Sequence, residues 1–236
     1  MVVPVAVLLC LEVAVVFKVR VAFEKKEFSK YISHLDLMKL FQRVFKIAEI
    51  DITYSSGFNP HPKMSIGNPL PLGVTGDCEF MDIVVNSEPD FDKIASSMNK
   101  VLPEGIRVIR CYTPELPMNV IKKSEYTIEL HLKEKINNFE DYVEALKKKD
   151  DIVISKKTKS GISNVDIKPF IYKFDVLRSE DKFIVINTIL ATGEPMNLKA
   201  SSLIDACIKY IPGFEMEYCN INRNAMYDKD NNKFTQ

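Results

Sequence analysis

The sequence lacks a Cys-x-x-Cys pair, a glycine-rich phosphate loop and any net charge, its 32 basic residues being matched by 32 acidic ones. The balanced charge excludes a global basic field of the kind that holds nucleic acid over a whole surface. Five cysteines, Cys10, Cys78, Cys111, Cys207 and Cys219, are odd in number and far apart. They fit neither a disulfide framework nor zinc-ligand spacing, and read as buried thiols in a reducing compartment, the cytoplasm. No resident metal or organic cofactor is expected, because neither a cluster motif nor a phosphate loop is there to hold one.

Local asymmetries matter more than the totals. Phe58-Asn59-Pro60-His61-Pro62-Lys63 sets an aromatic, a histidine and a lysine in a loop stiffened by two prolines, after a bend at Gly57. Each proline drives its predecessor into extended geometry, which fans the side chains outward. An ordinary connection also uses Gly, Asn and Pro, so composition alone does not make this loop functional. A second segment, Tyr31-Ile32-Ser33-His34-Leu35-Asp36-Leu37, reads as a helix start. Ser33 is the cap, Asp36 reaches back to it, and Ile32 with Leu37 has the spacing of a hydrophobic staple. Capping accounts for Asp36. His34 has no such structural role, since the positive end of a helix disfavours imidazolium.

These two segments carry a family resemblance. Ser33-His34-Leu35-Asp36-Leu37, then Ser56-Gly57-Phe58-Asn59-Pro60-His61-Pro62-Lys63 and Leu70-Pro71-Leu72-Gly73 resemble the radical-SAM-linked protein family of bacteria. Leu102-Pro103-Glu104-Gly105-Ile106, Lys159-Ser160-Gly161, Asp166-Ile167-Lys168-Pro169 and Ile221-Asn222-Arg223 extend the likeness over residues 17–227. The resemblance implies a domain of unknown function that works with a radical SAM protein as partner. Such an enzyme needs a tight three-cysteine motif for its iron–sulfur centre, which this chain does not have. The expected role is therefore accessory, with no activity of its own.

Periodicity gives the architecture. Residues 1–16 are an apolar, valine-rich leader, interrupted by Glu12 and too short for a bilayer span; we expect a strand or an upstream extension of the reading frame. Strands are expected at 17–23, 51–54, 80–85 and 106–111, with helices at 34–48 and 91–102. That order is a ferredoxin-like split βαβ unit occupying residues 17–112. A proline-bearing linker, 113–120, leads to a second unit at 121–227. Its strands are expected at 126–132, 152–155, 183–190 and 215–221, and its helices at 139–149 and 201–211. The fold class is thus α+β, two tandem ferredoxin-like halves. A basic loop is expected at 156–169, and a polar, disordered tail at 228–236.

Three readings of the residues follow. Catalysis or metal binding would gather His34, Asp36 and His61, with Glu79 as a further carboxylate. Binding of single-stranded RNA would use Lys39, Arg43, Lys46 and Lys63 for phosphates, Tyr54 and Phe58 for stacking, and Asn59 and His61 for hydrogen bonds. Docking onto the radical SAM partner without nucleic acid would use the exposed loop alone. His131 reads as a strand-surface or satisfied core residue. RNA binding in service of the partner is the favoured expectation, with docking the alternative and a His/Asp enzyme acting on RNA the third.

Overall fold

A computed structural model describes residues 15–158 and 161–235, which leaves most of the apolar leader and Cys10 outside the described residues. Alternation of apolar and charged residues builds β1 (Phe17–Lys25), in which Val19, Val21 and Phe23 are buried. A short 3-10 turn, Glu27–Tyr31, leads to α1 (His34–Ile47). The Ser33 side chain accepts a hydrogen bond from the Asp36 amide, and Leu37, Phe41, Val44 and Phe45 form the helix's buried stripe. β2 (Met64–Gly67), β3 (Val74–Val85), α2 (Phe91–Asn99) and β4 (Ile106–Tyr112) complete the first half. The second contains β5 (Lys123–Leu132), α3 (Phe139–Lys148), β6 (Val153–Thr158), β7 (Gly161–Asp166), β8 (Ile171–Glu180), β9 (Phe183–Ala191), α4 (Ala200–Tyr210) and β10 (Met216–Tyr227).

One large sheet runs through both halves in the order β4-β1-β3-β10-β5-β9-β8, with β2 also on β3, so the protein is α+β. Within each half the spatial order is the same: β4-β1-β3-β2, then β10-β5-β9-β8. A short parallel pairing joins them, Ile221 beside Val74, Asn222 beside Thr75 and Arg223 beside Gly76. The helices pack on one face of this sheet over two apolar clusters. The first centres on Phe23, Phe41, Phe45 and Met81, the second on Ile128, Leu130, Phe139 and Leu203. Among the described residues no helix is long and apolar enough to cross a membrane.

Several expected boundaries are corrected. Residues 51–54 do not form a strand of the sheet. They make isolated bridges, Ile52 to Val85 and Tyr54 to Pro62, because the chain leaves the sheet edge at Thr53 and returns at Lys63. Of residues 152–155, only 153–155 fall in a strand, β6, which pairs with β7 in a separate two-stranded sheet. The expected basic loop at 156–169 is therefore mostly that hairpin. Its place in the main sheet is taken by β8, which the sequence conceals because two register shifts break its alternation.

The expected disorder of the tail is corrected as well, since residues 228–235 pack, with the end of the 113–120 linker, on the face of the first half that the helices leave bare. Ala22, Phe80, Ile121, Met226 and Phe234 form a third apolar cluster there, with Met118 and Val120 against it. The Phe234 ring meets Phe80 edge-on at 4.9 Å, and the Arg20 guanidinium lies 4.9 Å from its centroid. Burial of one aromatic ring outweighs the polar composition of its neighbours, so residues 228–235 are held against the sheet. Phe234→Ala is expected to lower the unfolding free energy by about 3 kcal/mol. Urea denaturation of the variant measures this, and an unchanged midpoint would mean that the ring contributes nothing.

Candidate functional site

A bulge sets the geometry at the join of the two halves. Phe23 pairs with Glu79 but Lys25 pairs with Gly76, so β3 spends one residue more than β1 over this step. The extra residue turns Glu79 to the same face as Gly76, where Lys25 from β1 and Arg223 from β10 also lie. All three charged side chains are almost wholly buried. Arg223 Nε donates to Glu79 Oε1 at 3.0 Å, its Nη2 ion-pairs with Glu79 Oε2, and the same Nη2 donates to the Asn68 carbonyl at 2.7 Å. Burial opposes the guanidinium charge, but the Glu79 carboxylate and the Tyr126 hydroxyl overcome it and raise the Arg223 pKa above its ordinary value. Gly76 leaves the necessary room: a Cβ there would strike the Glu79 carboxylate.

Lys25 lies beside this pair. Its ammonium donates to the Ile32 carbonyl at 2.8 Å and, more weakly, to the Lys30 carbonyl at 3.5 Å, tying the 3-10 turn to the sheet. Desolvation lowers its pKa, and Glu79 partly offsets that. His34, exposed at the first position of α1, closes a narrow cleft whose other walls include Lys25, Leu37, Leu70 and Glu79. Motifs that are distant in the sequence thus meet here: the start of α1, the Leu70-Pro71 turn and Arg223.

The proline-rich loop lies elsewhere. His61 donates its amide to Ser55 Oγ at 3.0 Å, Ser55 donates its amide to the His61 carbonyl at 2.8 Å, and Tyr54 bridges to Pro62. These contacts make residues 53–63 a paired arm leaving the sheet edge beside Val84, at the C-terminal end of α1. Fourteen residues of helix, about 20 Å at the usual rise, separate that end from His34. His34 and His61 therefore share no site. Asp36 is engaged in the helix cap: Ser33 Oγ donates to its carboxylate at 2.7 Å and Lys39 lies 3.8 Å away. The His34, Asp36 and His61 group is not assembled, and among the described residues no three His, Cys, Asp or Glu side chains are placed to hold a metal ion.

The residues expected to contact RNA lie elsewhere. Lys39, Arg43 and Lys46 are exposed along one stripe of α1, and the last turn with Lys46 runs on into the stem of the arm. The arm carries Asn59, His61 and Lys63 exposed, Tyr54 about half exposed, and Phe58 fully exposed at its tip. His131 stands on the strand surface, stacked on Tyr218 at 4.1 Å and tilted against Phe183. Sequence reasoning missed the role of Lys25 and the pairing of Arg223 with Glu79. The sequence offered one signal, Lys25 continuing the inward alternation of Val19, Val21 and Phe23; Glu79 and Arg223 stand in strands that carry other charged or polar residues, such as Asp77, Asp82, Asn220 and Asn222.

The buried pair yields a test of the join. Glu79→Ala leaves the Arg223 charge buried without its partner and should cost about 3–5 kcal/mol, whereas Glu79→Leu combined with Arg223→Met should recover most of that. Chemical denaturation of both variants decides it. A double variant as unstable as the single one would show that poorer packing, and not an orphaned charge, is responsible.

No curated protein matches the chain. Among solved structures, a Cbf5-Nop10-Gar1 complex matches over 87% of this chain and 48% of its own, at 11% identity and a TM-score of 0.50. An archaeal box H/ACA sRNP Nop10-Cbf5 complex matches over 86% and 46%, at 12% identity and a TM-score of 0.44. The chain spans about half the length of these structures, and at such identities the likeness to the first is one of fold alone. The family model described as "Uncharacterized protein conserved in bacteria (DUF2344)" matches residues 18–200, well over half of the sequence. The chain belongs to that bacterial family.

Proposed function

We propose that the protein binds single-stranded RNA through α1 and the 53–63 arm, as an accessory to a radical SAM enzyme. The observation that carries the RNA reading is the arm itself. Backbone pairing at Ser55–His61 and Tyr54–Pro62 holds a phenylalanine fully in water. An apolar ring kept exposed on a paired scaffold whose base carries Lys63 and follows the α1 stripe of Lys39, Arg43 and Lys46 suits a base that stacks while phosphates are neutralised along the same strand. The partnership with a radical SAM enzyme rests on the sequence resemblance. The repeated strand order of the two halves supports reading them as tandem ferredoxin-like units, a scaffold on which a sheet edge and a helix face can carry such contacts.

A second reading, docking onto a protein partner, has its own support. Phe28, Tyr31, Leu35 and Leu72 are all more than half exposed around the opposite end of α1, a patch that suits a protein interface.

Salt dependence separates the two. Exchanging two of Lys39, Arg43, Lys46 and Lys63 for Glu should weaken RNA binding at low salt and flatten its salt slope by about 0.7 for each phosphate no longer neutralised. Phe58→Ala should cost about 1–3 kcal/mol of affinity with little change in slope. Fluorescence anisotropy with small RNAs at several salt concentrations reads both. Absence of binding by the wild-type chain at low salt, with stable co-purification of the radical SAM protein, would establish docking in place of RNA binding.

A further inference from the structure

We propose that a cleft at the seam between the two halves, separate from the RNA-contact surface, binds a nucleoside monophosphate. The parallel pairing of β3 and β10 covers only residues 74–76 and 221–223, while β10 runs back to Met216. Where β3 stops, the sheet opens. A cleft of about 300 Å³ fills the gap, bounded by Lys30 and Tyr31 of the 3-10 turn, the 71–73 turn, Tyr126, the start of α4 and Cys219 with Ile221. That is the lower end of the size range of small-molecule sites.

Its charge is one-sided. Lys30 and Lys199 are the charged side chains that line it, and no carboxylate is found among the described residues of its walls. Lys30 Nζ is held at 3.1 Å from Asn220 Oδ1, which fixes one ammonium at the cleft wall. Lys199 stands exposed at the N-cap position of α4 and makes no side-chain capping bond there. A lysine at a helix N-terminus is electrostatically unfavourable, and Lys30 is on the wall of the same cleft. A phosphate dianion between them would relieve both. Apart from Ser201 on the first turn of α4, the remaining walls are mostly apolar or aromatic: Tyr31 and Leu72 are largely exposed, and Tyr126, Cys219 and Ile221 also line the cleft. This provides for a planar body beside the phosphate. The Cys219 thiol, its pKa raised by desolvation and drawn back by Lys30, lies in the wall as a reporter.

The test uses the full chain with AMP, adenosine and inorganic phosphate, followed by calorimetry. AMP should saturate the protein, with adenosine bound at least about tenfold more weakly, a difference set by the phosphate. Lys199→Glu should reduce AMP affinity by about tenfold or more, although a carboxylate at that position favours the helix and the fold. AMP should also slow alkylation of Cys219 in the wild-type protein. Arg43→Glu on the α1 stripe should leave AMP binding unchanged, which keeps the failure of this site distinct from the failure of the RNA reading. A 5′-phosphorylated tetranucleotide that displaces AMP would identify the source as an RNA end; one that does not would identify a free nucleotide. No saturation by AMP, equal affinity for adenosine, or undiminished binding by Lys199→Glu would overturn the proposal.

Discussion

The buried pair of Arg223 and Glu79 is the constraint on which the rest of the molecule depends. A guanidinium and a carboxylate removed from water are tolerated only with close geometry and further hydrogen bonds, and here the Asn68 carbonyl and Tyr126 supply those. The geometry is demanding. It requires that β10 lie parallel to β3 in one register, that β3 bulge between Gly76 and Glu79, and that position 76 carry no side chain. A slip of one residue would turn Arg223 to the opposite face and strand both charges. The pair therefore helps to specify how two similarly built halves meet, because the two large apolar clusters lie mostly within their own halves and only Val74, with Leu70, crosses from the first half into the second cluster.

α1 converts this fixed join into two separated surfaces. Its first turn, with His34, belongs to the seam, where Lys25 ties the preceding turn to the sheet. Its last turn belongs to the arm with Phe58. A helix is stiff over this length, so the seam and the arm are held at a constant separation along one side of the protein. A ligand that spans both would have to be extended, and a small one would occupy one or the other.

Local patterns were legible in the sequence where they repeat, and illegible where they are interrupted. The alternation of Val19, Val21 and Phe23 and the cap at Ser33 located β1 and the start of α1 closely. β8 escaped notice because its shifts near Lys173 and Arg178 destroy the period of two. The candidate site was half visible. Exposure of Phe58 and the α1 stripe follows from local rules of turns and helices. The convergence of Lys25, Glu79 and Arg223 is set by register between strands up to 147 positions apart, as in the pairing of Thr75 with Asn222, and no local rule reports it. His34 and His61 are close in the sequence by comparison, yet α1 carries them to opposite ends.

The wrapping of the first half by the last strand and the residues after it has a consequence for how the chain is made. β1, α1, β2, β3, α2 and β4 leave the ribosome early and can assemble their helix-side cluster at once. Glu79 then has no Arg223, and Phe80 has no Phe234, until nearly the whole of the second half has been synthesised. Through that interval the nascent first half presents a buried-type carboxylate and a bare apolar sheet face. Synthesis of β10 and the residues after it supplies the counter-charge and the cover within a dozen positions of each other, Arg223 and Phe234.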